Sequence, residues 1–169
     1  MKRLQLLFII QILVFILPGI LKGQPANLPQ LKSQLKALEQ RNLSTPDTAY
    51  LNTLYKLGYL YADSYPDSAF VILKNAKGYN KAIDYDQGEI DRLGVLGNAY
   101  QTKGDFNKAI TNYEEAYLLA KEKKTKKALP QILGNIALVY LNQGNYPVAL
   151  DNFYKSLEAA EKEGNKVLV

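Results

Sequence analysis

Apolar and small residues recur at helical spacing along the chain, and the same set of positions returns about forty residues later. The clearest copy of this pattern comprises Leu96, Gly97, Tyr100, Gly104, Phe106, Ala109, Tyr113 and Ala116. A second copy comprises Ala137, Tyr140, Gly144, Tyr146, Ala149, Phe153 and Ser156, and a weaker one upstream retains Ala69, Leu73 and Ala76. Spacings of three and four residues place such positions on one face of a helix. A period of about 20 to 50 residues is typical of a repeat array whose neighbouring units share a core.

The pattern predicts a lead-in helix followed by three pairs of helices. Leu31, Leu35 and Leu38 form one apolar stripe on the lead-in helix, which we expect over residues 27–41. The first pair has a turn at 63–67, and its second helix directs Ala69, Leu73 and Ala76 inward. The later helices are predicted over residues 86–102, 106–122, 128–142 and 146–162.

Capping and turn residues mark where these helices begin and end. Thr45, Asp105 and Asn145 each precede a predicted helix and are of a type that caps helix N-termini. Gly104 ends one helix because glycine adopts left-handed dihedral angles without strain. Pro147 falls in a first helical turn, where its missing N–H costs no hydrogen bond.

Residue size predicts how the helices pack. We expect small residues to let the two helices of one pair approach closely, and large residues to fill the space between one pair and the next. The small positions are Gly97, Ala109, Ala137 and Ala149, and the large ones are Tyr100, Phe106, Tyr113, Tyr140, Tyr146 and Phe153. Tyr50, Tyr59 and Tyr79 fit neither set and are predicted to lie at the surface.

The two clear copies resemble the tetratricopeptide repeat, and the resemblance extends over about residues 47–163. Their spacing of about forty residues exceeds the usual repeat length of about 34 residues. In this respect the chain resembles family members with longer helices. The resemblance implies an all-α fold, a right-handed α-solenoid of antiparallel helix pairs with a period of about forty residues. It also implies a division of the chain: 1–23 signal peptide or N-terminal anchor, 24–46 lead-in helix and linker, 47–84 degenerate repeat, 86–124 and 127–163 good repeats, and 164–169 the start of a truncated further repeat.

Tetratricopeptide arrays bind a peptide or a partner's helix in a concave groove, so the resemblance implies a non-enzymatic protein-binding scaffold. The groove positions that match are Asp91, Gly94, Val95, Asn98, Gln101 and Thr102 in one repeat, and Gln131, Gly134, Asn135, Leu138, Leu141 and Asn142 in the next. We expect the peptide to contact Asn98, Gln101, Thr102, Asn135, Leu138 and Asn142, with Asn98 and Asn135 hydrogen-bonding its backbone. The basic clamp that some members use for an acidic C-terminal tail is absent from these positions.

The whole chain also resembles the N-terminal, extracytoplasmic repeat region of bacterial sensor histidine kinases and regulators. This implies a sensor or adaptor module outside the cytoplasmic membrane. The alternative is a structural subunit that self-assembles through an open C-terminal repeat end, because Phe153 and Leu157 have no following helix pair to cover them. A homodimer burying that end is one form of this alternative.

The N-terminus favours export. A basic start at Lys2 and Arg3 precedes an apolar run over residues 4–21, which is the layout of a secretory signal. Cleavage is expected after Gly23 or, as a second choice, after Ala26. The competing interpretation is an uncleaved membrane anchor, at the lower end of the length that spans a bilayer. Both interpretations place the rest of the chain outside the cytoplasm, either secreted or periplasmic, or anchored there.

Composition narrows the function further. The 169 residues include no Cys and no His, which excludes disulfides, thiolate metal sites and the commonest general base. The net charge of +5 includes Lys2, Arg3 and Lys22, and without them 18 basic residues face 16 acidic ones. We therefore expect no nucleic-acid partner.

No residue set predicts catalysis, a cofactor or a metal. Phosphate-binding glycine loops and nucleophile motifs are absent from the sequence. Asp84, Asp86, Glu89 and Asp91 lack the spacing of a calcium loop and fit the start of a helix. The lysine-rich run 121–127 suits a helix C-terminus followed by a solvated connector better than a nucleic-acid or lipid patch.

Overall fold

The computed structural model describes residues 28–40, 47–74 and 76–163, which form an all-α solenoid of antiparallel helix pairs. The predicted signal segment 1–23, most of the predicted linker and the predicted repeat start 164–169 lie outside the described residues. The α-helices are α1 (Leu28–Glu39), α2 (Thr48–Ala62), α3 (Pro66–Leu73), α4 (Ala76–Ala82), α5 (Asp86–Thr102), α6 (Phe106–Glu122), α7 (Leu129–Asn142) and α8 (Tyr146–Lys162), and a 3₁₀ turn (Lys126–Ala128) precedes α7.

The two helices of each pair pack against each other, and helices of neighbouring repeats stack on one another. Helix α2 packs on α3, α5 on α6 and α7 on α8, while α1 packs on α2, α2 on α5 and α6 on α7. Two main clusters of buried side chains result, one from α2 to α5 and the other from α5 to α7. The core is therefore shared between repeats, as a stacked array requires.

The pair α5 and α6 shows why small and large positions alternate. A Cβ atom built on Gly97 would lie 2.4 Å from the ring of Tyr113, which is fully buried. Glycine at this position is what allows the tyrosine ring to pack directly against the α5 backbone. The predicted left-handed turn is confirmed, since Gly104 has a φ of +77° and Gly144 a φ of +74°.

Two of the three predicted caps are corrected by the structure. Asp105 caps α6 as predicted, because its side chain accepts a hydrogen bond from the Lys108 N–H. Helix α2 is capped by Asp47, whose Oδ1 accepts from the Tyr50 N–H at 2.8 Å, so the prediction of Thr45 is wrong. Asn145 precedes α8 but makes no side-chain cap hydrogen bond.

The first repeat departs from a simple helix pair. Its second half is divided into α3 and α4 instead of forming one helix, although Ala69, Leu73 and Ala76 are buried as predicted. Asn80 on α4 is buried and accepts a hydrogen bond from the Tyr55 hydroxyl at 2.6 Å. This polar contact joins α4 to α2 where the apolar pattern of the sequence is weak.

Large aromatic residues at the C-terminal end are more exposed than their pattern predicts. Tyr146 is 66% exposed and Phe153 is 37% exposed, because no helix pair packs over α8 in the described part of the chain. The prediction that these two rings fill space between repeats is therefore wrong for this end, whereas the exposure of Phe153 agrees with the expectation of an open C-terminal end. The surface prediction for Tyr50, Tyr59 and Tyr79 is also wrong, since each packs partly buried against the first core cluster.

In the part of the chain that the structure describes, no helix combines the length and the apolar character needed to cross a bilayer.

Candidate peptide-binding groove

One face of α5 and one face of α7 together form a polar groove. On α5 the groove positions include Gln87, Asp91, Gly94, Asn98 and Gln101, and on α7 they are Gln131, Asn135, Leu138 and Asn142. Their spacings of three and four residues place each set along a single helical stripe.

The groove has two adjoining cavities that share Asn135. The first is about 330 Å³ in volume and is lined by Asp63, Asn98, Gln101, Thr102, Asn135, Leu138 and Asn142. The second is about 280 Å³ and is lined by Tyr59, Gln87, Ile90, Asp91, Gly94, Lys127, Ala128, Gln131, Ile132 and Asn135. Because Asn135 lines both, the two cavities adjoin at this residue, and we call the two together the amide groove.

All six residues predicted to contact a peptide line the first cavity. The structure thus brings Asn98, Gln101 and Thr102 together with Asn135, Leu138 and Asn142. Of the wider predicted groove positions, Val95 is wrong because it is fully buried against Gly58. Gly134 faces Ser156 of α8, and Leu141 lines neither cavity.

Sequence reasoning missed Tyr59 and Asp63, which come from the end of α2 and the residue after it. The copy of the repeat pattern in this region is the weakest, so no clear position marked either residue. Lys127 was also missed, since the groove receives it from the 3₁₀ turn before α7.

A buried tyrosine orients the central amide of the groove. The hydroxyl of Tyr113 donates a hydrogen bond to Asn98 Oδ1 and lies 3.3 Å from Gln101 Oε1. With its oxygen engaged, Asn98 has its Nδ2 group without a hydrogen-bond partner among the described residues. Burial, together with the nearby Tyr59 and Asp63, raises the pKa of Tyr113, so its hydroxyl stays a donor at neutral pH.

The second cavity contains a carboxylate in an unfavourable setting. Burial raises the pKa of Asp91, and a 2.9 Å hydrogen bond from Gln87 Nε2 opposes that shift. Burial and then the charge of Asp91 raise the pKa of Tyr59 to about 12. A Cβ atom on Gly94 would lie 2.6 Å from the Tyr59 hydroxyl, so glycine at this position lets the hydroxyl lie against α5.

The charges of the groove are mixed, since Asp63 lines the first cavity and both Asp91 and Lys127 line the second. Neither cavity is lined by arginine, and Lys127 is the one cation among the lining residues of the two cavities. A carboxylate clamp needs several converging cations. This groove instead offers amide groups that both donate and accept hydrogen bonds.

Nothing in the described residues indicates catalysis. No group of three or more acidic, His or Cys side chains is placed to hold a metal ion in residues 28–40, 47–74 and 76–163. The acidic residues at the start of α5 each have another role: Asp86 pairs with Lys123, Glu89 with Arg92, and Asp91 accepts from Gln87.

A family model described as tetratricopeptide repeat matches residues 86–162, which extend from α5 to the end of α8. The match supports the repeat assignment of these two helix pairs.

Two curated relatives each match somewhat more than half of the chain. The photosystem I assembly protein Ycf3 of Acaryochloris marina (strain MBIC 11017) is 33% identical over 99 residues, which is 57% of this chain and 57% of that protein. The Ycf3 protein of one Prochlorococcus marinus strain (strain SARG) is 30% identical over 103 residues, or 60% of this chain and 57% of that protein. The matches therefore span about 57% of the length of these relatives.

Among solved structures, a crystal structure of MamA protein is 27% identical and covers 84% of this chain and 85% of that chain. Its TM-score is 0.37, which is too low to support a conclusion about fold or function.

Proposed function

We propose that the chain is a non-enzymatic scaffold that binds an extended segment of a partner protein in the amide groove. The observation that supports this most is the set of polar groups left unused there. The side chains of Gln131, Asn135 and Asn142 make no hydrogen bond within the described residues, and Asn98 has an unused Nδ2 group. Because these amide side chains do not hydrogen-bond one another, they are available to form hydrogen bonds with the backbone of a ligand.

The spacing of the amides suits an extended peptide. Asn135 and Asn142 are seven residues apart on α7, which corresponds to about 10 Å along a helix axis. An extended chain advances about 3.3 Å per residue, so about three peptide residues span this distance. Each amide can then meet a peptide group of the ligand.

The groove charges favour a neutral or basic segment over an acidic one. Asp91 is half-buried and its ionised form is disfavoured, so a cation or an N–H donor from a ligand would stabilise the carboxylate. Asp63 adds a second negative charge at the other end of the groove.

An adaptor role follows from holding one protein against another. The curated relatives are named as assembly proteins, which is consistent with a scaffold that brings partners together. A place outside the cytoplasmic membrane, and a sensor role there, rest on the N-terminal sequence pattern alone. Fractionation of the source cells tests this part: a cytosolic band recognised by an antibody to residues 30–160 would contradict it.

The groove proposal is tested by selecting peptides from a phage-displayed library on the purified full chain. Affinities for the selected peptides are then compared with the double variant Asn98→Ala and Asn135→Ala. We expect at least a tenfold loss of affinity, since two hydrogen-bonding groups are removed. The matched control is Asn107→Ala with Asn112→Ala on α6, which removes two amides outside both cavities. Equal affinity for both double variants would contradict the proposal.

A second candidate function, self-assembly, is favoured by the exposed apolar surface on α8. Leu150 is 55% exposed and lies with Phe153 and Leu157 on the helix that ends the described array. Substituting both Phe153→Glu and Leu157→Glu should shift sedimentation from oligomer to monomer if this surface associates. A wild-type chain that sediments as a monomer at high concentration would exclude it.

A further inference from the structure

A third cavity, chemically different from the two of the amide groove, lies between α6 and α8. Its volume is about 470 Å³, and the turn that joins α6 to α7 closes one side of it. Its lining residues are Tyr117, Lys121, Lys124, Lys126, Leu129, Leu133, Lys155, Glu158, Ala159, Lys162 and Glu163. None of them lines the amide groove.

The cavity has an excess of positive charge. Five lysines face two glutamates, and Glu158 is already paired with Lys162 at 2.6 Å. Lys155 is paired with Asp151 at 2.6 Å. Within the described residues, the side chains of Lys124 and Lys126 have no ion-pair or hydrogen-bond partner, and the ammonium group of Lys121 lies only over the face of the Tyr117 ring. Three cations are therefore available to a ligand.

The floor of the same cavity is apolar. Leu129 and Leu133 on α7 and Ala159 on α8 form the floor, and the ring of Tyr117 forms one wall. Leu129 is partly buried, so part of its side chain is covered by the protein and part faces the cavity. An apolar floor inside a basic rim matches a ligand that is both anionic and hydrophobic.

We propose that this basic cavity binds an acidic segment of a partner protein, with one large apolar side chain of that segment seated against Leu129 and Leu133. The acidic residues of the segment meet Lys121, Lys124 and Lys126 at the rim. The charge complementarity sets orientation and speeds association, and the buried apolar side chain provides the anchor.

The apolar floor of the cavity favours a carboxylate-bearing peptide over a phosphate. The rim cations are all lysines, which attract either anion as point charges, so the choice rests on the floor. An inorganic phosphate or a nucleic-acid backbone would gain nothing from Leu129 and Leu133. A carboxylate-bearing peptide with an apolar anchor uses both parts of the site.

Adjacent residues of one turn line this cavity and the amide groove. Lys126 lines the basic cavity and the next residue, Lys127, lines the groove. The two sites also have opposite charge preference, because the groove contains Asp63 and Asp91. A scaffold with two such sites distinguishes two partner segments by their charge.

The test uses the purified full chain and a fluorescein-labelled probe peptide in which glutamates flank a central Phe-Leu pair. Binding is followed by fluorescence anisotropy. We expect the double variant Lys121→Glu and Lys126→Glu to bind the probe at least tenfold more weakly than wild type. The control Lys36→Glu with Lys81→Glu makes the same change in net charge at exposed positions outside the cavity, and should stay within about twofold of wild type. Circular dichroism verifies that all variants keep their helix content.

A second probe tests the apolar floor. Replacing the Phe-Leu pair of the peptide by Gly-Ser keeps its charge and should lower affinity at least tenfold, because burial of a Phe or Leu side chain is lost. Equal binding of the two peptides, or equal effects of the two lysine double variants, would overturn the proposal in favour of unspecific attraction. An oligodeoxynucleotide of the same charge that displaces the peptide at lower concentration would overturn it in favour of nucleic acid.

The groove variant Asn98→Ala with Asn135→Ala separates the two sites. It should keep full affinity for the acidic probe. If it loses that affinity, the acidic segment binds in the amide groove, and the cavity proposal fails while the groove proposal stands.

Discussion

The hydroxyl of Tyr113 on α6 donates a hydrogen bond to Oδ1 of Asn98 on α5. The tyrosine is fully buried, whereas the asparagine lines the amide groove. A core residue of the repeat therefore orients a residue of the binding surface, and the repeat pattern that builds the solenoid also positions the candidate site.

Replacing Tyr113 by Phe should lower both the free energy of unfolding and the affinity for peptide, although Tyr113 does not line the groove. The ring remains, but Asn98 loses its donor and is free to rotate. We expect a loss of about 1 kcal/mol in the free energy of unfolding, as for a typical buried hydrogen bond. Peptides selected on the wild-type chain should bind more weakly. Urea titration measures the first effect and anisotropy the second.

The matched control is Tyr140→Phe, because the Tyr140 hydroxyl has no hydrogen-bond partner within the described residues. It should change neither quantity appreciably. A Tyr113→Phe chain that binds the selected peptides with wild-type affinity would contradict the orienting role.

Substitution by alanine should change the stability of the protein in opposite directions at two glycines, Gly97 on α5 and Gly134 on α7. At Gly97 an added Cβ would lie 2.4 Å from the Tyr113 ring, which is packed on all sides, so Gly97→Ala should destabilise by about 1 to 3 kcal/mol. At Gly134 the nearest atom would be Ser156 Oγ at an ordinary 3.6 Å, so Gly134→Ala should stabilise by up to about 1 kcal/mol through helix propensity.

Thermal or urea unfolding of the two single variants checks the pair of glycines. Similar changes at both positions would mean that the close approach of α5 and α6 does not depend on Gly97.

The sequence was most informative where two copies of the pattern keep phase. The bounds of α5 and α6 agree with prediction because Gly104 and Asp105 end one helix and begin the next by local chemistry. Upstream the prediction failed in detail. The division into α3 and α4 has no apolar signal, and the side-chain hydrogen bonds that join α4 to α2 and α5 come from the polar residue Asn80, which repeat patterns do not use.

The residues of the candidate site could likewise be predicted only in part from the sequence. The groove positions on α5 and α7 could be predicted because equivalent positions of successive repeats face the same side. Tyr59 could not, because it belongs to the degenerate repeat. The basic cavity was equally hidden: Lys126 stands in a run that suggests a solvated connector, and only the fold brings Lys155 and Lys162 beside it.

Removing the charge of Asp91 should stabilise the protein at neutral pH. Burial raises the pKa of Asp91 above its unfolded value of 3.8, so the folded state binds its proton more tightly than the unfolded state does. The ionised carboxylate is therefore destabilising above the folded pKa, and this cost disappears below the unfolded pKa. We expect Asp91→Asn to gain about 0.5 kcal/mol or more at pH 7 and little at pH 3.

Urea titrations at these two pH values measure the effect of Asp91→Asn. Asp63→Asn is the control, since Asp63 is an exposed carboxylate of the same groove, and its change should stay within about 0.5 kcal/mol. A loss of stability in Asp91→Asn at pH 7 would show that Gln87 and other groups compensate the burial.

Glu89 should give the opposite dependence on pH. Although burial alone would raise its pKa, hydrogen bonds from Arg92 and Asn80 and the charge of Arg92 hold the pKa below its usual value of 4.5. A depressed folded pKa means that the ionised group stabilises the fold. This contribution is fully present above pH 4.5 and is lost as the pH falls through the lower folded value.

Replacing Glu89 by Gln tests this contribution in urea titrations from pH 7 to pH 3. Because Arg92 and Asn80 are largely buried, Glu89→Gln leaves a buried cation without its partner and should cost about 2 kcal/mol at pH 7. Its stability should also fall less steeply than that of wild type below pH 4.5. Lys108→Gln is the control, since it breaks a solvent-exposed ion pair with Asp105, and it should leave the stability nearly unchanged. Parallel stability curves for Glu89→Gln and wild type would show that Glu89 does not stabilise the junction of α2, α4 and α5 through its charge.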